Sequence, residues 1–264
     1  MKAFTKAVIL TILVILSIFS VTLKISAQNV YIIVTFPSLV RDIEQILCDG
    51  DIVESLMPPG VDPHNYELTV EDREKLAAAN LIISTAHTPF ELTIRELIKN
   101  GELSASLIEI PKIAGIKLLE NPATGQLNYH MPIYDPDNYL IFMEAVKDVL
   151  KKLNPACSQA YEENLNRVLR SINSLKADAP VLDLKALAVT PLAQYAVEWL
   201  GIKVKYLVIK EHGVPVSPQE IMSIEEAAAE GKIDLVILVS GAVSYTHLRA
   251  HETEADLVCR LLLE

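Results

Sequence analysis

From residue 30 to residue 239 the chain alternates short β-rich runs with segments of helical period, a pattern that points to open α/β sheets rather than to a bundle or a sandwich. Strands are expected at residues 30–35, 52–57, 81–85 and 106–110, with helices at 39–47, 70–79 and 90–99 between them. Residues 111–135 carry Gly115, Pro122, Gly125 and Pro132 and read as one long irregular loop, long enough to suggest function. Two helices follow, at 136–153 and 156–176, each with an apolar stripe: Leu140, Met143, Val146 and Leu150 on the first, Leu165, Val168, Leu169 and Leu175 on the second. After Pro180 the alternation resumes with strands at 185–189, 205–209 and 235–239 and helices at 192–200 and 218–230. A second sheet is therefore expected in the second half.

The two ends read differently. Lys2 and Lys6 precede an uncharged apolar run over residues 7–23, bounded by Lys24, which is the pattern of a secretory signal. Ile25-Ser26-Ala27 is an imperfect small-x-small cleavage site, so an uncleaved anchor through residues 7–23 stays open. No Cys follows the run, which disfavours a lipid anchor. At the other end, residues 243–253 (VSYTHLRAHET) and 256–264 (DLVCRLLLE) resemble an in-frame translation of a sequencing-library adapter. Residues 243–264 are accordingly set aside as a non-native tail, with His247, His251 and Cys259. Natural sequence is expected to continue past Gly241.

The expected division is a signal or anchor at 1–27, a first α/β lobe at 28–155, a linking helix at 156–178, a second and incomplete lobe at 179–242, and the tail at 243–264. An incomplete second lobe implies that its apolar strand at 235–239 is exposed and that the lobe is poorly stable.

The formal net charge of −11 argues against nucleic acid and against an anionic membrane surface, and suits a solvated extracytoplasmic domain. Outside the tail the cysteines are Cys48 and Cys157. Two cysteines do not make a disulfide framework, and the sequence does not fix whether they meet; the favoured reading is two small buried thiols.

Four histidines remain: His64, His87, His130 and His212. His64, His87 and His212 each follow an expected strand, and His130 lies in the long loop before a helix. Loops beyond the carboxyl ends of parallel strands line the ligand crevice of open sheets, so these imidazoles are candidates to converge in a cleft between two sheets. Taken alone, His87 and His212 read equally well as solvated loop residues.

Pro58-Pro59-Gly60-Val61-Asp62-Pro63-His64-Asn65-Tyr66-Glu67 resembles the first metal-binding motif of the cluster A-I, ZnuA/TroA-like solute-binding proteins. Val34-Thr35-Phe36-Pro37 supports the likeness. Asn128-Tyr129-His130 followed by Asp135-Pro136-Asp137-Asn138 resembles the second histidine motif, with one extra residue before the Asp-Pro. The likeness spans roughly residues 30–241 and is looser in the second half. It implies a two-lobed, periplasmic-binding-protein-like (TroA-like) α/β fold whose lobes are joined by a long helix, with a divalent ion, Zn2+ or Mn2+, held between them as cargo. It implies handover to an ABC permease and its ATPase, no organic cofactor, no bond chemistry, a monomer, and a periplasmic or cell-surface location. Pro63 stiffens the backbone before His64, so its imidazole is presented with little loss of entropy.

The second half departs from the motif pattern. Family members place a third histidine after the strand that here reads Leu187-Ala188-Val189, where this chain has Thr190, a poor Zn2+ ligand. The expected metal ligands are therefore His64 and His130, with Glu211 or His212 as candidate replacements and no catalytic residue; a fourth ligand is expected beyond Gly241. Residues 111–129 hold no histidine, so the family's His-rich loop is absent. Two rival classes remain in view. One is a secreted metal-dependent hydrolase with Glu67 as general base, although the chain has no H-E-x-x-H, no G-x-S-x-G and no phosphate-binding Gly loop. The other is a surface adhesin.

Overall fold

A computed structural model describes residues 29–211 and 214–238. The expected signal, the tail and His212 lie outside the described residues. Strands β1 (Tyr31–Val34), β2 (Ile52–Ser55), β3 (Leu81–Ser84) and β4 (Ser106–Glu109) form one parallel sheet in the order β2-β1-β3-β4. Its central strands are continuous apolar runs with Ile32, Ile33, Val34, Leu81, Ile82 and Ile83 all fully buried. That is what a parallel sheet covered by helices on both faces requires. One face packs on helices α1 (Ser38–Glu44), α4 (Pro136–Leu153) and α5 (Ser158–Asp178) through Leu39, Ile43, Phe142, Val146, Tyr161 and Leu165. The other packs on α2 (Val70–Ala78) and α3 (Pro89–Lys99) through Leu76, Phe90 and Ile94.

The second sheet is parallel with order β6-β5-β9, from β5 (Leu184–Ala188), β6 (Ile202–Leu207) and β9 (Leu235–Ile237). Helix α6 (Ala193–Glu198) packs on it, a short antiparallel hairpin of β7 (Ile209–Glu211) and β8 (Val214–Pro215) follows, and α7 is Pro218–Ala229. On β9 and just beyond it, Val236 and Leu238 are about half exposed.

The sequence-based elements all appear. The largest shift is at β6, which starts three residues early, at Ile202, while the expected strand's end becomes the hairpin. Gly201 makes that early start possible: its φ is +82°, and its α-carbon approaches Leu182 so closely that a Cβ would lie 1.9 Å from the Leu182 carbonyl oxygen. Helix starts are set by side-chain caps: Thr69 and Ser217 accept from the third helical N–H, and Asp135 accepts from Asp137 and Asn138 ahead of Pro136.

One expectation is overturned. Cys48 and Cys157 are not two separate thiols but form a disulfide, with their Cα atoms 6.1 Å apart across a sequence separation of 109. It joins the segment after α1 to the start of α5, at the amino-terminal edge of the first sheet. Nearby, Tyr161 donates to Asp51 (2.7 Å) and Asn164 to the Leu47 carbonyl (2.6 Å), so α5 is fastened to the first sheet at three points.

The long loop is not a free excursion. Lys117 and Pro132 are closed onto one another by the buried Asn138 amide, and the loop's middle binds the second sheet's side. Tyr195 on α6 donates to the Asn128 carbonyl and accepts from Leu119 N–H. Asn121, fully buried, donates to the Lys210 carbonyl and to Glu211.

Candidate metal centre

Strand order fixes where a crevice opens. In the first sheet β2 lies on one side of β1 and β3 on the other, so the chain leaves β1 and β3 in opposite directions and their following loops part. In the second sheet β5 likewise lies between two strands, β6 and β9. Between these edges lies a cleft of about 600 Å³. Phe36, His64, His87, His130, Thr190 and Glu211 are among the residues that line it.

Each imidazole is placed by local sequence. Asp62 accepts from His64 N–H (3.0 Å) and from the Asn65 side chain (2.8 Å), an Asx-type turn in which Pro63 fixes φ. Tyr66 ties that turn to the first half by donating to buried Asp72 on α2, with its hydroxyl 3.3 Å from the Leu56 carbonyl oxygen. His87 follows β3 in a turn where Ala86 has φ +61°, a left-handed conformation that costs a non-glycine residue roughly 1–2 kcal/mol. The turn is held by Glu91, whose side chain is fully buried, through the N–H groups of Thr85, His87 and Thr88 and the hydroxyls of Thr35, Ser84, Thr85 and Thr88. Burial works against a charge on Glu91, but these hydrogen bonds and the nearby His87 outweigh it and hold the carboxyl below its ordinary range. His130 precedes Met131, the other left-handed non-glycine residue among the described ones (φ +49°). Both such residues flank a cleft histidine, and strain of this kind gathers at functional sites.

The three rings form one cluster. His87 lies between the others, with ring centroids 5.8 Å from His64 and 5.0 Å from His130. One ligand nitrogen from each can be chosen so that all three lie within 4.8 Å of one another. Burial, and secondarily the neighbouring His130, depress the basicity of His87 below the usual imidazole value despite Glu91, which favours the neutral ring that metal ligation needs. Glu211 brings a carboxylate to the group, its Oε2 3.6 Å from His130 Nε2 while Oε1 accepts from Asn121 at 3.1 Å. His130 Nδ1 meets Asn128 Oδ1 at 2.9 Å. Both amide hydrogens of Asn128 are spent on the Pro191 carbonyl and Gln194 Oε1, so Oδ1 is the acceptor, Nδ1 carries the proton, and Nε2 is the nitrogen that could take a metal ion.

Of the sequence candidates, the structure brings together His64, His130 and Glu211. His212 lies outside the described residues. Thr190 lines the cleft where a third histidine was sought, and its Oγ1 is buried with no hydrogen-bond partner among the described residues. The residue that sequence reasoning left out of the ligand set is His87. The signal for it was its place in the turn after the fully buried strand Leu81–Ser84 and ahead of the Thr88–Glu91 capping box; what the sequence lacks is the strand order that makes that turn a crevice. Glu67, the base of the hydrolase alternative, is exposed and does not line the cleft.

Three comparisons bear on this arrangement. The family model described as zinc-uptake complex component A, periplasmic, matches residues 32–263. Iron-binding protein YfeA of Yersinia pestis is 26% identical over 226 residues, covering 80% of this chain and 70% of YfeA. Among solved structures, FpvC of Pseudomonas aeruginosa in complex with Mn2+ has a TM-score of 0.66 at 22% identity, covering 79% of each chain. The periplasmic zinc-binding protein TroA of Treponema pallidum has a TM-score of 0.66 at 18% identity, covering 84% of this chain and 82% of TroA. Both structures share this fold.

Proposed function

The chain belongs to the family of periplasmic zinc-uptake components, ZnuA, and on that footing we propose that it captures a divalent transition ion outside the cytoplasm with His64, His87 and His130 and hands it to an ABC importer. It is a binding protein: the ion is cargo, and no bond is made or broken. Its partners are the permease and ATPase of that importer, and it acts as a monomer, with residues 7–23 directing it across the membrane. Among the described residues no helix is long and apolar enough to span a bilayer.

The observation that carries this reading is the convergence of three imidazoles in one cleft, with the Glu211 carboxylate beside His130. Imidazole-rich donor sets suit Zn2+, Cu2+, Fe2+ and Ni2+, whereas Mn2+ is better served by oxygen ligands, so the donor set favours Zn2+ over Mn2+ as cargo. Glu211 supplies the anionic fourth donor in place of a second-lobe histidine, from a hairpin steadied by Asn121.

The test is competition titration of Zn2+ and Mn2+ against a chelator, on the parent and on His64→Ala, His87→Ala and His130→Ala. Each variant should lose more affinity than the roughly 10–100-fold that removal of an outer hydrogen-bond partner costs. Parent-like Zn2+ affinity in His64→Ala and His130→Ala would overturn the proposal.

A further inference from the structure

Glu91 lies outside the metal centre yet organises one of its ligands. Four hydroxyls and three backbone N–H groups point at its two oxygens, more donors than the about four lone pairs a carboxylate offers. Thr85 is the crucial one. Its Oγ1 lies 2.9 Å from Glu91 Oε1, 2.8 Å from Oε2 and 2.9 Å from His87 Nδ1. Thr85 has one hydroxyl proton to place among these three neighbours. Aimed at His87, it would leave a lone pair of Oγ1 against two carboxylate oxygens at hydrogen-bond distance, which is repulsive. Aimed at the carboxylate, it makes a charge-assisted bond and leaves Oγ1 an acceptor. The proton between Thr85 and His87 must then come from the ring. A second contact agrees: His87 Nδ1 lies 3.8 Å from Glu91 Oε2, where an N–H is attracted and a ring lone pair is repelled.

We propose that Glu91 and Thr85 are positioning residues that lock His87 in its Nδ1–H tautomer, so that Nε2 is presented to the ion before the ion arrives. The proposal rests on His87 being a ligand. It gives His87 the same polarity that Asn128 imposes on His130, by an independent set of groups: a hydroxyl and carboxylate within the first sheet in one case, an amide anchored to the second sheet's side in the other. Two ligand nitrogens are thereby committed without rearrangement on binding, and preorganisation of this kind raises affinity by removing an ordering step.

The primary test needs no variant and no metal. Long-range proton–nitrogen correlation of the 15N-labelled full chain reports which nitrogen of each neutral imidazole carries hydrogen. His87 is expected to show protonated Nδ1 and bare Nε2; protonated Nε2 in the metal-free protein would overturn the proposal. Thr85→Val keeps the side chain's shape and removes the acceptor. It should shift His87 toward the Nε2–H form and weaken Zn2+ binding about 10–100-fold, with Thr85→Ser restoring both. In a His87→Ala background, Thr85→Val should add nothing, because its effect passes through that ring. An undiminished effect there would show a merely structural role and sink the relay. Parent-like Zn2+ affinity in His87→Ala itself would instead remove His87 from the ligand set, leaving the tautomer measurement to judge Glu91 and Thr85 separately.

Discussion

Replacing both disulfide cysteines, as Cys48→Ala with Cys157→Ala, should destabilise the protein strongly while leaving metal capture intact. The bond closes a loop of sequence separation 109, for which chain-entropy arguments give a stabilisation of about 4.7 kcal/mol at 25 °C. That figure is a ceiling, since the reduced chain's unfolded state retains some structure. The fold itself should persist, because α5 stays fastened to the first sheet by Tyr161–Asp51, by Asn164–Leu47 and by the burial of Tyr161, Leu165 and Val168. The bond sits at the amino-terminal edge of the sheet and the imidazoles at its carboxyl edge, so the two are separated by the length of the strands. Urea unfolding followed by circular dichroism should show a midpoint loss corresponding to about 3–4 kcal/mol together with a larger m-value, because an uncrosslinked unfolded chain exposes more surface. Zn2+ affinity of the folded variant should match the parent's. An unchanged m-value with the whole loss appearing as faster unfolding would refute the unfolded-state account, and a parallel loss of affinity would refute the separation of staple from site.

Asn128→Ala removes the acceptor that orients His130 and the amide bridge to Pro191 and Gln194, so Zn2+ affinity should fall about 10–100-fold in the same competition assay. Glu211→Gln keeps an oxygen for Asn121 but withdraws the negative charge from the ion; stopped-flow transfer to a chelator should show release faster by about tenfold, equivalent to about 1.4 kcal/mol. Gly201→Ala sets a Cβ against the Leu182 carbonyl at a positive φ and should destabilise the protein by about 2 kcal/mol or more, read as a lowered urea midpoint.

How much of this was legible follows from what each signal depends on. The α/β class and nearly every element follow from local period and punctuation: a run such as Leu81-Ile82-Ile83 with a capped helix behind it has one reading. His64 was legible because its presentation is local, an Asp-Pro turn with Tyr66 anchored close by. The disulfide was not legible, because its partners meet only once the linking helix folds back across the first sheet. His87 was not legible for a similar reason: whether a turn after a strand faces a crevice depends on which strands flank it, and the order β2-β1-β3-β4 is not written in any segment. Glu211 was legible only as a substitute, inferred from the absence at Thr190, and its contact with the cluster depends on Asn121, ninety residues away.

Thr190 and His87 line the same cleft. The motif pattern asks for three imidazoles, two from the first half and one after β5; among the described residues three converge, and the third of them comes after β3. If the two positions are alternative sources of the same ligand, the loss in His87→Ala should be recoverable from across the cleft. Thr190→His is the change to make in that background. Thr190 lines the same cavity, and its buried Oγ1 has no hydrogen-bond partner among the described residues, so its removal breaks none of the polar contacts that hold the turn. The double variant should regain at least tenfold in Zn2+ affinity over His87→Ala alone, about 1.4 kcal/mol. Thr190→His in the parent should gain far less, since three imidazoles already converge in the cleft with Glu211 beside them. No recovery in the double variant, with the fold intact by circular dichroism, would mean that His87 does not occupy the third imidazole's role and that the ion sits elsewhere in the cleft.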